Sequence, residues 1–311
     1  MTDLPDEIIE LFRIGKKLRE HCYRGRFAPS PTGYLHLGNL RTALASWLSA
    51  RLNRGEWLLR IDDLDTPRNR LGAVESIQQD LSWLGLDWDG PTIFQSKRRD
   101  LYRSVLSALK LQGKLYPCRC TRRLLAQRTL SKGPEIVYPG TCRNLGLSWT
   151  IEGGRLPSWR LLVAEEFSRS SGDVLVKRAD GFIAYHLATA SDELFLGIGE
   201  VVRGRDLEIA MNAQLAIIDA LNQKPVKYKH VPLWLNSDGR KLSKRQGGDG
   251  TMPFHMKEMS ASSLIGFLAA TLNLVPKGSE LSSVELLADL RKDTSAMDIL
   301  LNTSKINQDT F

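Results

Sequence analysis

The chain is poor in cysteine and has no long apolar run. Only four of its 311 residues are cysteine. Three of them, Cys118, Cys120 and Cys142, fall within 25 residues, and Cys22 stands apart. An odd local cluster without a secretory leader argues against a disulfide framework. It leaves a metal site or a set of reduced structural cysteines. No apolar stretch approaches the length of a bilayer span, so no membrane partner is expected. The N-terminus, Met1-Thr2-Asp3-Leu4-Pro5-Asp6-Glu7, is acidic where a signal or transit peptide would be basic. A cytoplasmic location is therefore expected. Internal repeats and low-complexity tracts are also missing, which removes solenoids and compositionally biased segments.

What is present is ordinary for a globular α/β chain: 42% hydrophobic and 25% charged residues. The length suits one large or two modest domains. The net charge of +8 is uneven. Residues 251–311 carry five Lys/Arg against seven Asp/Glu, leaving 38 against 28 for residues 1–250. A basic body attracts polyanions by steering and counterion release, although many soluble proteins are equally basic.

Periodicity predicts an amphipathic helix within residues 1–22, then a short strand over Tyr23–Ala28 running into a Pro29-Ser30-Pro31-Thr32-Gly33 turn. A helix is expected over Gly38–Arg51, a buried strand over Trp57–Asp62, and helices over Ala73–Leu84 and Leu101–Gln112. This alternation implies a doubly wound parallel sheet of Rossmann type. From Leu115 to about Arg143 the pattern turns irregular and carries the cysteines. Strands follow at Trp159–Leu162 and Asp173–Lys177. The parallel pattern resumes at Val201–Gly204, with a helix over Ile209–Leu221 and a strand over Tyr228–Leu235. The tail is helical over Ser263–Leu274 and Ser283–Leu290.

Two motifs carry chemistry. In the first, the turn leads through His36-Leu37-Gly38-Asn39 into a helix whose first amides and dipole make an anion site. His36 can donate to a phosphate, and Gly38 lets a purine or ribose approach the backbone. In the second, Lys241-Leu242-Ser243-Lys244-Arg245 sits in a glycine-rich loop suited to stabilising a departing pyrophosphate. Alone, it would also fit a solvated basic loop.

Taken together with Arg60-Ile61-Asp62-Asp63 and Arg203-Gly204, these segments resemble the glutamyl branch of the class I aminoacyl-tRNA synthetases, over about residues 24–250. The resemblance implies ATP and L-glutamate as substrates. It assigns catalysis to His36, Gly38, Asn39, Lys241 and Lys244, with ATP held by His36, Gly38 and Lys244 and Mg²⁺ travelling with the nucleotide. It places glutamate on Arg26, Ser30, Asp62, Tyr185 and Arg203. Arginine forks suit its two carboxylates, and an acid suits its ammonium. Relatives usually carry Glu where this chain has Asp62, one methylene shorter. In short members of the branch a Cys-x-Cys…Tyr-x₃-Cys set binds structural Zn²⁺, implying Cys118, Cys120, Tyr138 and Cys142 as ligands.

The expected organisation is a helical extension (1–22) and a first catalytic half (23–114). An inserted zinc subdomain (115–198), a second catalytic half (199–250) and a helical tail (251–311) complete it. Only 66 residues follow Arg245, so no anticodon-reading domain is expected. Within the family this points to a short branch that esterifies glutamate onto queuosine in the anticodon of tRNA(Asp), acting as a monomer. The alternatives are a glutamyl-tRNA synthetase without its own anticodon domain and a non-catalytic tRNA-binding paralogue.

Overall fold

The computed structural model describes residues 4–128, 137–232 and 252–302. Elements in chain order are α1 (Asp6–His21), β1 (Arg24–Phe27), α2 (Leu37–Leu52), β2 (Glu56–Ile61), α3 (Ala73–Trp83), β3 (Ile93–Phe94), α4 (Arg99–Leu111), β4 (Leu115–Cys118) and α5 (Arg122–Arg128). Then come β5 (Ser158–Leu161), α6 (Glu165–Ser168), β6 (Val174–Lys177), α7 (Tyr185–Phe195), β7 (Glu200–Gly204), α8 (Glu208–Ala220), β8 (Lys227–Val231), α9 (Ala261–Thr271), α10 (Ser283–Lys292) and α11 (Ser295–Asn302). They gather into two compact units, each assembled from separated stretches of sequence.

One unit comprises residues 19–95, 198–207 and 227–311. Strands β1, β2 and β3 pair in parallel, as do β7 and β8. The Gly199 N–H donates to the Arg24 carbonyl at 3.0 Å, joining the start of β7 to β1. All of Trp57–Ile61 is buried, as expected for a parallel strand covered on both faces. Helix α2 is buried nearly all round, through Leu40, Ala43, Leu44, Ala45, Trp47, Leu48 and Ala50. Leu264, Ile265 and Leu268 of α9 and Leu286 of α10 join it in one core. The tail is thus part of this core. A Cβ on Gly266 would lie 1.7 Å from the Ser279 carbonyl oxygen, so only glycine permits that helix–chain approach.

The other unit comprises residues 1–18, 96–197 and 208–226. Strands β4, β5 and β6 form an antiparallel sheet. Helix α7 contains Asp192 and Glu193, both fully buried. Asp192 accepts from the Arg98 Nε and the Tyr102 hydroxyl, each at 2.8 Å. The N-terminal helix is packed into this unit: Phe12 stacks on Phe195 at 5.0 Å. A Cβ on Gly15 would lie 1.9 Å from the Leu194 carbonyl oxygen, which explains the glycine within a helix.

Candidate active site and cysteine cluster

The turn from β1 to α2 is held by one local backbone bond and two from the chain that follows β2. Thr32 N–H donates to the Ser30 carbonyl (2.8 Å), Asp62 N–H to Pro29 (3.0 Å) and Arg70 N–H to Pro31 (2.8 Å). It delivers the chain to His36, the N-cap of α2, with extended backbone. His36 and Asn39 cap each other. Asn39 N–H donates to His36 Nδ1 at 3.3 Å, and His36 N–H donates to Asn39 Oδ1 at 3.2 Å. This reciprocal box satisfies two orphan donors at the helix start and fixes the ring. Because Nδ1 accepts, the neutral imidazole carries its proton on Nε2, which is then a donor. Gly38 has a second reason besides backbone approach: a Cβ there would lie 3.1 Å from His36 Cε1 and Nδ1. The glycine makes room for the capping ring. Arg41, one turn on, is buried and donates to the Thr271 hydroxyl (3.2 Å), the Thr271 carbonyl (3.1 Å) and the Pro232 carbonyl. It ties α2 to α9 and to the residue after β8. Lys241 and Lys244 lie outside the described residues.

The residues expected to hold an amino acid are set by the strands. Arg26 on β1 is buried, and its Nη1 donates to the Val202 carbonyl at 3.5 Å, next to Arg203. Two buried guanidiniums therefore sit on neighbouring strands. Arg203 on β7 is the register partner of His230 on β8, and its Nε donates to His230 Nε2 at 3.3 Å. Its guanidinium also lies 4.7 Å from the centre of the Tyr228 ring. Burial, and after it the charges of Arg203 and Arg205, push the His230 imidazole down to about 4. It is neutral near pH 7 and able to accept.

Asp62, just past β2, accepts from Arg60 Nε at 2.7 Å and Nη2 at 3.2 Å, and both side chains are buried. The shorter acid is thus engaged by the arginine two residues earlier on the same strand face. Ser30 is exposed in the turn. Tyr185 opens α7 in the other unit and is about two-fifths exposed. The motifs did not single out His230 or Arg41. Nothing local to either residue marks it, because both act through partners distant in sequence.

The cysteine cluster lies in the antiparallel unit. The sulfurs of Cys118, Cys120 and Cys142 all fall within 4.8 Å of one another, and all three cysteines are free. The Tyr138 hydroxyl lies 3.4 Å from Cys118 Sγ and 3.7 Å from Cys120 Sγ, and it accepts from Cys142 N–H at 2.8 Å. Four donors converge. Cys120 and Cys142 sulfurs are 3.6 Å apart, close to the ~3.8 Å edge of a tetrahedron with zinc–sulfur bonds of about 2.3 Å. Burial raises the Cys118 thiol, but its hydrogen bond with Tyr138 and the Arg160 charge outweigh this and hold it below the usual value. Burial pushes Cys120 up to about 11. The donor set fits a thiophilic divalent ion.

The cluster is braced from outside. Arg160 stacks over the Tyr138 ring at 3.6 Å and donates to the Asp173 carbonyl at 2.7 Å. Asp173 accepts from Tyr116 (2.7 Å) and from Arg143 Nε (2.8 Å), the residue after Cys142. Gly172, with φ +60°, passes so close to Tyr138 that a Cβ would meet its carbonyl oxygen at 2.5 Å.

The comparisons agree with this architecture. The family model of the class I tRNA synthetases (E and Q), catalytic domain, matches residues 23–142 and 157–268, and the chain belongs to that family. It is 60% identical over 300 residues to the glutamyl-Q tRNA(Asp) synthetase of Prochlorococcus marinus (strain MIT 9303), covering 96% of this chain and 98% of the relative. It is 54% identical to the protein of the same name from Parasynechococcus marenigrum, over 92% of this chain and 96% of the relative. Among solved structures it resembles a glutamate tRNA ligase from Elizabethkingia meningosepticum in complex with its amino acid, at TM-score 0.68 and 26% identity. That match covers 85% of this chain but 64% of the ligase, so the chain spans less than two thirds of the longer enzyme.

No helix among the described residues is long and apolar enough to cross a membrane.

Proposed function

We propose that this chain activates L-glutamate with ATP and esterifies the glutamyl group onto queuosine in the anticodon of tRNA(Asp). The observation that carries the reading is the pair of buried arginines, Arg26 and Arg203, on neighbouring strands in a chain 60% identical to relatives of that name. Two fixed cations beside the His36-capped helix suit a dicarboxylic substrate and a polyphosphate together.

In the first step a glutamate carboxylate oxygen attacks the α-phosphorus of ATP, and the bond to pyrophosphate breaks. Positioning and charge stabilisation suffice, and no side-chain nucleophile is needed. His36 donates from Nε2, and the α2 N-terminus with Gly38 and Asn39 faces the phosphates. Lys244, helped by Lys241, stabilises the leaving pyrophosphate, and Mg²⁺ enters with ATP. Arg26, Ser30, Arg203 and Tyr185 hold glutamate, and Asp62 supplies negative charge for its ammonium from within its Arg60 pair. In the second step a hydroxyl of the queuosine diol attacks the activated carbonyl. AMP departs, and the hydroxyl proton passes to solvent or phosphate.

Cys118, Cys120, Cys142 and Tyr138 would hold one Zn²⁺. A closed shell of four protein ligands supplies folding energy and no catalysis. The working division of the chain remains a 1–22 extension, catalytic halves at 23–114 and 199–250, a 115–198 insertion and a 251–311 tail. The enzyme is proposed to be cytoplasmic and monomeric.

The test is transfer of labelled glutamate onto tRNA with and without queuosine, followed by periodate treatment of the tRNA diols. Transfer confined to queuosine-bearing tRNA(Asp) is expected. Labelling of tRNA(Glu) at its 3′ end would instead define a glutamyl-tRNA synthetase. Absence of both labelling and glutamate-dependent ATP–pyrophosphate exchange would mean a non-catalytic paralogue.

A further inference from the structure

Two tryptophans of the antiparallel unit meet edge to face, Trp149 and Trp159, with ring centres 4.9 Å apart. Both are half-buried, so each keeps part of its ring at the surface. The Lys110 ammonium lies 4.1 Å from the Trp149 ring and 5.0 Å from Trp159, and Lys177 lies 4.4 Å from Trp159. Arg103 stands two turns before Lys110 on α4 and is ion-paired with Asp100 at 2.8 Å. Burial lowers the affinity of Lys177 for its proton, and the positive charges of Arg103 and Lys110 lower it further. Like charges have thus been gathered around two indoles, and among the described residues both lysines rest on π-faces. An anion would relieve that repulsion.

The presentation of Trp149 is built. Arg119 donates from Nη2 to the carbonyls of Ser148 (3.3 Å) and Thr150 (2.8 Å), one on each side of Trp149. It also donates to the Arg155 carbonyl (3.2 Å) and pairs with Glu152 at 2.9 Å. Arg119 is itself the residue between Cys118 and Cys120, so the cysteine knuckle fixes the loop that carries the indole.

We propose that Trp149, Trp159, Lys110, Lys177 and Arg103 form an RNA-binding surface, on which a base stacks against Trp149 while the cations hold flanking phosphates. Aromatic faces interleaved with cations are the combination that single-stranded RNA requires: every base offers a π-face, and every nucleotide a negative charge. Lysines that now cover the rings swing to the phosphates and free a face for the base. The proposal rests on the reading that tRNA is a substrate, and extends it to a surface and its residues.

The experiment is a fluorescence-anisotropy titration of the full chain with labelled tRNA(Asp) and its anticodon stem-loop, at several salt concentrations. Trp149→Leu is expected to weaken binding about 5- to 100-fold. The Lys110→Gln/Lys177→Gln double variant is expected to flatten the dependence of log affinity on log salt by about 1.4, at roughly 0.7 per phosphate. Trp149→Leu should lower the melting temperature modestly, since it gives up the edge-to-face contact with Trp159, so binding is compared at a temperature where circular dichroism shows every variant folded. Wild-type affinity and salt slope in both variants would overturn the proposal, as would a wild type that binds no tRNA. Unchanged RNA binding with lost affinity for a polyglutamate peptide would also overturn it, in favour of an acidic protein partner. Wild type that binds RNA through these residues but transfers no glutamate would sustain the surface and sink the proposed reaction.

Discussion

Replacing His230 tests whether a buried acceptor sets the Arg203 guanidinium, which is proposed to hold glutamate. Arg203 Nε donates to His230 Nε2 across paired strands, and the two residues are 2% and 3% exposed. His230→Phe keeps a ring beside Tyr228 but removes the acceptor. A hydrogen bond to a charged group contributes about 1.5–3 kcal/mol, which corresponds to roughly 10- to 150-fold in an equilibrium constant. The expected result is a KM for glutamate raised about 10-fold or more in ATP–pyrophosphate exchange. The fall in kcat should be smaller, because the proposed carboxylate contact would be the same in ground and transition states. His230→Gln should recover much of the loss, since its amide oxygen can accept.

The same residue predicts a pH dependence. The folded imidazole titrates at about 4, against 6.5 for an unperturbed one. The stabilisation from keeping it neutral is therefore fully present above about pH 6.5 and is lost progressively as pH falls towards 4. The span amounts to about 3 kcal/mol at most. His230→Phe should flatten stability between pH 6.5 and 4. An unchanged KM in His230→Phe, or equal damage in the Phe and Gln variants, would refute the reasoning and leave ring packing as the role of this position.

Three further outcomes follow from the geometry. The chain should purify with one zinc, measured by elemental analysis, and Cys142→Ala should lose the metal; since Arg119 lies within the knuckle, the tryptophan emission should shift as the Trp149 loop loosens. Asp62→Asn removes the carboxylate of a buried pair with Arg60 and should cost about 3–5 kcal/mol in denaturant unfolding; a change below about 1 kcal/mol would mean that the pair is well solvated. Gly38→Ala should raise the KM for ATP with little change in melting temperature, because the added Cβ meets the His36 ring at 3.1 Å; an unchanged KM would show that His36 yields without loss.

Much of the chain was legible from short-range pattern. The strand–turn–helix of residues 24–52 follows from two prolines, a glycine and an apolar helix, all acting within a few residues. The predicted helix ends at Arg51, and the observed one at Leu52. The cysteine spacing announced a cluster because 118, 120 and 142 are close in sequence, and the fold brings their sulfurs together. Helix α7 was not legible. Its sequence, Tyr-His-Leu-Ala-Thr-Ala-Ser-Asp-Glu-Leu-Phe, has no clean polar face, because Thr189, Ser191, Asp192 and Glu193 are all buried. The partners of Asp192 lie 90 and 94 residues away, beyond any periodicity.

Local propensity and motifs a few residues long were enough to set the residue types at the turn before α2, the starts of the strands that carry Arg26 and Arg203, and the gathering of three thiols in one segment. Other features waited for the folded chain: His36 and Asn39 capping one another, Asp62 engaged by Arg60, His230 facing Arg203, and Arg119 stapling Trp149 to the cysteine knuckle. Each of these is a matter of side-chain direction or strand register. A hydrogen bond forms only when donor and acceptor arrive within about 3 Å of each other, a condition that packing meets and composition does not encode.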